Sequence, residues 1–486
     1  MSVNQYTPDR TESKYTKSAS TFRQNVQRDL ANEELRSNFA GAMDYLMDKR
    51  KASFPSNDEL ETLRDQCKLI KQRALVKLPH LLEQLETKLN ENGIKVHWAE
   101  TINDANEIIA QLIESKGGKN IVKGKSMVSE ETALNDFLQA RDMEILESDM
   151  GEYIVQLANE HPSHIIMPAI HQNKKQVADI FAEHIDDFEY TTDVDTLIGE
   201  GRRILRDKFS KADVGITGVN FAVAETGTLC LVENEGNGQM SSAVPDMHIA
   251  ITGIEKVVEY LDDIPPLLSL LTRSATGQAI TTYFNMISKP RQPGEKDGPE
   301  EVHLVLLDNG RSQAFADEEL RQTLQCIRCG ACMNHCPVYT RVGGHAYGTV
   351  YPGPIGKIIS PHQLGLESTK DLPTASSLCG ACGEVCPVKI PIPNILLRLR
   401  KESVKDTKGG EGELKGAGSN RKATEAAIWK AWSLLHRVPA MYKVSMWFAT
   451  RFRGLMPSKL GAWTSVRTAP KLAPKTLHER VKARRK

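Results

Sequence analysis

The sequence predicts an α/β domain with a largely parallel sheet, followed by a cysteine-bearing segment of short helices and a basic helical tail. Three observations carry this. Apolar strands alternate with helical patterns of ten or more residues between about 76 and 309, the pattern of parallel sheets covered by helices. Seven of nine cysteines fall in two short runs between 326 and 386. Four of five tryptophans lie beyond residue 421, among many lysines and arginines.

In chain order, residues 1–75 read as a helical arm. Leu60, Leu63, Cys67 and Ile70 recur at helical spacing, which makes Cys67 a buried small hydrophobe rather than a ligand. Leu81, Leu82, Leu85 and Leu89 give a helix that Asn92-Gly93 ends. Ile94, Val96 and Trp98 form a strand. A helix over Asp104 to Ile113 and a strand over Asn120 to Val122 follow. Then come one helix from Glu130 to Ala140 and a strand over Glu144 to Leu146. Ala222 to Glu225, a Thr226-Gly227 turn and Thr228 to Glu233 predict a hairpin. Leu304 to Leu307 is the last strand before Asp308-Asn309-Gly310.

Between 310 and 400 the cysteines lie in short helices and loops. The intervening chain is rich in Gly and Pro, notably Gly343-Gly344 and Tyr351-Pro352-Gly353-Pro354-Ile355-Gly356. Residues 401–486 comprise a Gly/Glu/Lys-rich linker, Lys408 to Ser419, and the tail. Ile428, Trp432 and Leu435 share one helical face; Trp447, Phe448 and Phe452 suggest a second short helix; Trp463 lies beyond it. The tail suits a charged face beside a small tryptophan core, docking on a partner, or peripheral contact with an anionic membrane. It carries no nucleic-acid module.

Composition excludes little. Lys+Arg and Asp+Glu both number 62, so net charge offers no argument for nucleic acid or membrane binding. The polar N-terminus has no signal-like apolar stretch, and no run of 18 or more apolar residues occurs. Clustered reduced thiols then point to the cytoplasm.

The chemistry is carried by Cys326, Cys329, Cys332 and Cys336, spaced C-x2-C-x2-C-x3-C and followed by Pro337. Cys379, Cys382 and Cys386 repeat the last three positions and are followed by Pro387. This is the ligand pattern of cubane iron–sulfur clusters, in which the cysteine before proline ligates the other cube. The spacing therefore assigns Cys326, Cys329, Cys332 and Cys386 to one cluster, and Cys336, Cys379 and Cys382 to a second. Ser376 stands where the repeat calls for a fourth cysteine. Four readings of that corner follow: water or another non-cysteine ligand, Ser376 as alkoxide, the distant Cys230, or no iron at all in a three-iron cluster; the first and last are preferred. A four-cysteine zinc site fits a quadruple plus a triple poorly. His335 reads as a neighbour of the cluster rather than a ligand.

Other motifs are weaker. Gly124-Lys125-Ser126 lacks the glycine a phosphate loop needs five positions earlier, where Lys119 stands. Lys123 and Lys125 remain candidates for binding an anion, against a solvated loop. Glu225, in the glycine-bearing loop 224–228, is a candidate pocket carboxylate, as loops at strand ends often hold ligands; the loop 235–239 is its counterpart. Cys230 reads as core. No dinucleotide fingerprint is visible.

The segments 224–228, 236–245, 326–337, 351–356 and 378–393, together with the tail, resemble the lactate utilisation protein B family across nearly the whole chain. The resemblance implies a sugar-isomerase/CoA-transferase-like α/β domain, an α-helical ferredoxin-type domain at 310–400, and two 4Fe-4S clusters on the seven cysteines. It implies electron transfer during L-lactate oxidation to pyruvate with two partner subunits, one cysteine-rich. Same-class alternatives are glycolate-oxidase or heterodisulfide-reductase-like complexes. A different-class alternative is a chain that itself binds a hydroxy acid at the open cluster corner.

Overall fold

The computed structural model describes residues 18–405, 414, 422–455, 457, 459, 468–469 and 471–484. The chain divides into two units, 1–419 and 420–486.

The first unit is built on a six-stranded, wholly parallel sheet. Its strands are β1 (Lys95–Ala99), β2 (Asn120–Gly124), β3 (Glu144–Glu147), β4 (Val214–Thr217), β7 (Met247–Gly253) and β10 (Glu301–Leu307), in the order β1-β10-β7-β4-β2-β3. All seven residues of β7 are buried, as a central strand covered on both faces requires. Alternation splits β10 between two cores. Val305 and Leu307 pack with Ile109, Ile113 and Ile216; Leu304 and Leu306 pack with Leu81, Leu85 and Leu89.

The expected hairpin is present as β5 (Phe221–Val223) and β6 (Thr228–Glu233), with Phe221 opposite Cys230. It belongs to a second, four-stranded sheet completed by β8 (Val257–Val258) and β9 (Tyr283–Ile287), in the order β8-β5-β6-β9. Gly227, at φ 63°, closes the turn, and a Cβ there would meet the Lys88 backbone at 2.8 Å.

One expected helix differs. The stretch 130–140 is two short helices, Met127–Glu131 and Leu134–Gln139, broken at Ala133 with φ 51°. Tertiary bonds explain the break. The Thr132 carbonyl accepts from Asn106 Nδ2 at 2.8 Å, and the Glu131 carboxylate reaches buried Arg311 at 2.7 Å.

The helical arm does not stand apart. Helices Phe22–Ala31, Glu33–Ser53 and Asn57–Val76 lie against the cysteine region. Phe22 meets Tyr347 at a tilt and Phe39 meets Tyr339 edge-on, each pair at 5.5 Å between centroids. Arg64 Nε donates to the Cys386 carbonyl at 3.0 Å. Cys67 is fully buried, and burial pushes its thiol up to about 12, as suits a core residue.

The cysteine region is, as expected, short helices and loops, anchored by helices Gly353–Leu364 and Ile392–Val404. Gly356 allows the first of these to pack: a Cβ would lie 1.5 Å from the Tyr351 carbonyl oxygen.

The second unit contains helices Ala423–Arg437 and Pro439–Arg451. No residue of either helix is buried. Trp432 is 52% exposed and Trp447 45%, so these two do not form the small tryptophan core expected from sequence. They are instead ring neighbours on a surface, Trp429 against Trp432 and Trp432 stacked on His436. Trp463 and most of the linker lie outside the described residues. No helix among those described is long and apolar enough to cross a membrane.

Candidate iron–sulfur centre

The two cysteine runs adopt the same local backbone, position by position. In the first, Arg328 (φ 63°) and Gly330 (φ 78°) flank Cys329 and lead into helix Ala331–Asn334. In the second, Leu378 (φ 56°) and Gly380 (φ 89°) flank Cys379 and lead into helix Ala381–Glu384. Left-handed residues on both sides curl the chain tightly, so sulfurs three residues apart converge. The amide of Arg328 donates to Cys326 Sγ at 3.4 Å. The amide of Leu378 donates to Ser376 Oγ at 3.1 Å. Ser376 thus has the hydrogen-bond position of Cys326, as the sequence alignment of the two runs anticipates.

Two small cavities receive these side chains. One is lined by Cys326, Cys329, Cys332 and Cys386, with Ile165, Ile355 and Ile392 among its walls. The other is lined by Cys336, Cys379 and Cys382, with His335, Ser376 and Ser377. The last cysteine of each run, Cys336 and Cys386, therefore faces the other run's cavity. Six of the seven are buried; Cys379 is exposed. The donor set suits a polycationic inorganic partner. Burial, and then the neighbouring Cys329, Cys326 and Cys386, push the Cys332 thiol well up. Such a group of sulfurs ionises together only around metal.

Cys230 lines neither cavity. It lies in β6 between Phe221 and Met286, fully buried, with its thiol pushed up to about 12 by burial. We expect Cys230→Ala to leave iron and sulfide content unchanged, as checked by metal analysis of the purified variant.

Several neighbours escaped sequence reasoning. Lys357, almost wholly buried, lies 3.8 Å from Cys336 Sγ and also hydrogen-bonds the Ala375 carbonyl. Ile390 N donates to Cys386 Sγ at 3.4 Å. Such N–H donors and nearby cations tune cluster potentials. His335 Nδ1 donates within its own turn to the Ala331 carbonyl at 2.9 Å, and the side chain lines the second cavity as a neighbour.

A buried ionic network joins the α/β domain to the first cysteine loop. Arg311 pairs with Glu131 at 2.7 Å and with Glu255 at 2.6 Å; Glu255 also pairs with Arg328 at 3.1 Å. Tyr351 donates to Glu131, and Arg328 lies over the Tyr351 ring at 4.4 Å. Burial opposes ionisation of Glu255, but Arg311 and Arg328 outweigh it and hold the carboxyl at about 2.

The other motifs resolve differently. Lys123 is no free anion ligand: its ammonium is buried and paired with Glu147 at 2.7 Å and Glu130 at 3.0 Å. Lys125 pairs with Asp149. Glu225 is exposed and accepts from the Leu261 amide at 2.9 Å, so it acts as a turn-side acceptor and not as a pocket carboxylate. The counterpart loop does face a cavity, through Glu233, Asn234 and Glu235. Both loops are polar and glycine-bearing; only the sheet's three-dimensional path separates them.

Three family models match the chain: the LUD domain at residues 82–307, a 4Fe-4S dicluster domain at 322–390, and the C-terminal region of lactate utilisation protein B at 398–486. The chain is 41% identical to Lactate utilization protein B of Bacillus velezensis, over 92% of its own length and 94% of the relative's. The protein of that name from Bacillus subtilis is also 41% identical, over 92% and 93% of the two lengths. An uncharacterized electron transport protein, YkgF of Escherichia coli, is 39% identical over 92% and 94%.

Proposed function

Since this chain belongs to the lactate utilization protein B family, we propose that it is the iron–sulfur electron-transfer subunit of a multi-protein system that oxidises L-lactate to pyruvate. The observation that carries this reading is the pair of adjoining cavities, one lined by four cysteines and one by three, with the two runs crossed. Cys326, Cys329, Cys332 and Cys386 would hold one 4Fe-4S cluster; Cys336, Cys379 and Cys382 would hold the second. When bound, these groups supply one-electron storage at two neighbouring stations, which suits a substrate that gives up electrons as a pair.

The protein's own residues do the rest. The helical arm shields the first site, Arg64 fixing the Cys386 turn. Exposure of Cys379 leaves the second site at the surface, where a partner subunit can approach. The partners implied are two subunits, one cysteine-rich, and the domain limits that fit this reading are 76–309 and 310–400. The α/β domain is assigned the sugar-isomerase/CoA-transferase-like type on the family resemblance.

At the second site, the position of Ser376 Oγ supports a fourth corner filled by oxygen, from Ser376 or water, rather than by sulfur. We expect Ser376→Cys to convert it to an all-cysteine cubane. Its EPR signal should change and its loss in air should slow several-fold, with the first cluster's signal unaltered. The function itself is tested by growth. A strain lacking this chain should lose growth on L-lactate, regain it with the wild-type gene, and fail to regain it with Cys329→Ala. Unimpaired growth of the deletion strain would overturn the reading.

A further inference from the structure

The parallel sheet has one point where its connections diverge. From β2 the chain passes to β3 on one side; β4 lies on the other side of β2, and the chain then runs outward to β7 and β10. A crevice at the carboxyl ends of the strands, at such a switch point, is the usual ligand site of an open α/β sheet. A cavity of about 650 Å³ lies here. Lys125 and Ser126 line it from the end of β2, and Gly218, Val219 and Asn220 from the end of β4. Gly218 brings the two loops together, for a Cβ would lie 2.3 Å from the Lys125 carbonyl oxygen.

Lys256 and Arg328 line this cavity with hydrogen-bonding capacity unfilled. Lys256 is 5% exposed, and its ammonium makes no hydrogen bond or ion pair among the described residues. Arg328 Nη1 is buried and also has no hydrogen-bond partner. Glu255 attracts Lys256 but already pairs in contact with both Arg311 and Arg328. That carboxylate thus serves three cations, and burying an ammonium with no partner in contact is costly unless an anion joins it. Neither Lys256 nor Arg328 lines the Cys326–Cys386 cavity; both line the larger one. Ile165, Met167, Val219 and Leu271 give the cavity an apolar wall; the acidic residues that also line it are engaged within the protein, Asp149 with Lys125, Glu233 with the Gly238 and Gln239 amides, Glu152 with the Lys125 amide and Glu235 with the Met150 amide. Ile165 is shared by this cavity and by the first cysteine cavity.

We propose that this cavity binds a small organic carboxylate, with its anionic end between Lys256 and Arg328, its carbon body on the apolar wall, and the first cysteine cavity directly behind Ile165. One ammonium with no partner in contact matches a monoanion, and the unpartnered Nη1 of Arg328 suits a carboxylate oxygen. A bound anion this close should make the adjacent iron–sulfur group harder to reduce. The binding claim does not depend on lactate being the substrate of the system.

Calorimetric titration of the anaerobically prepared holoprotein tests this with L-lactate, pyruvate and 3-phenyllactate, and with benzyl alcohol and inorganic phosphate as controls. At least one carboxylate is expected to bind saturably, and benzyl alcohol is not. Lys256→Met should weaken binding at least tenfold, Lys256→Arg should keep most of it, and Ala169→Phe should abolish it by filling the cavity. Unchanged iron content and melting temperature establish that the variants are folded; if Lys256→Met misfolds, Ala169→Phe decides. A redox titration should show the bound carboxylate lowering the potential of the first cluster and not that of the second. Binding of phenyllactate without lactate supports the site and leaves the lactate reading to the growth assay. No binding by any carboxylate, binding by phosphate alone, affinity indifferent to these variants, or an unmoved first-cluster potential would overturn the proposal.

Discussion

Cys386→Ala is expected to abolish the EPR signal of the first cluster and spare that of the second, although Cys386 belongs by sequence to the second run. Its side chain lines the cavity of Cys326, Cys329 and Cys332. Its own run faces the other cavity. The reciprocal variant, Cys336→Ala, should abolish the second signal and spare the first. The signal altered by Ser376→Cys identifies which is which. A cubane that loses one thiolate from a buried site loses much of its affinity for the protein, so the effect on that signal should be nearly complete. If each variant instead removed the cluster of its own run, the crossed arrangement would be wrong.

Arg311→Met should be the most destabilising single change outside the cysteines. It removes the shared cation from Glu131 and Glu255, both nearly inaccessible to solvent. Glu255 then keeps only Arg328 in contact and Glu131 only the neutral donors Tyr351 and Asn309, and breaking a buried ion pair costs about 3–5 kcal/mol. The pH dependence follows from the sign of the shift. Glu255 is held near 2 in the folded protein, below the usual carboxylate value, so folding favours its ionised form. Its contribution is fully present above about pH 4.5 and is lost as pH falls toward 2. The penalty of Arg311→Met should therefore be largest near neutral pH and shrink below about pH 4.5. Urea denaturation at pH 7 and pH 4 checks both statements. Equal penalties at the two pH values would remove Glu255 from the account.

What the sequence made legible follows from which signals are local. Sulfur spacing and a following proline are local, so both cysteine groups and the odd position of Ser376 could be read without coordinates. Period-two and helical apolar patterns are local as well, and they placed β1, β2, β3, β10 and the β5–β6 hairpin. The strands β4, β7, β8 and β9 were not legible: β4 and β7 are buried throughout and show no alternation. Val257–Val258 is only two residues long, and β9 is half-exposed at an edge. Buried charges were the largest omission. Glu131, Glu255 and Arg311 look in sequence like surface residues, and only long-range pairing makes them interior; buried Lys256 gave no sequence signal either. Arg328 offered one hint, being a cation inside a cysteine run. Glu225 and Glu235 show the same limit from the other direction: both flank glycine turns, and the crossing order of the sheet alone decides which one meets a cavity. The tail misled through its aromatic content, because four tryptophans suggested a core where the described ones lie on the surface.

Iron and acid-labile sulfide analysis, with EPR, on protein purified without oxygen tests the central claim most directly. Two clusters on seven thiolates predict about seven to eight iron atoms per chain and similar sulfide, with two distinguishable reduced signals. Zinc in their place, or colourless protein without iron, would contradict it.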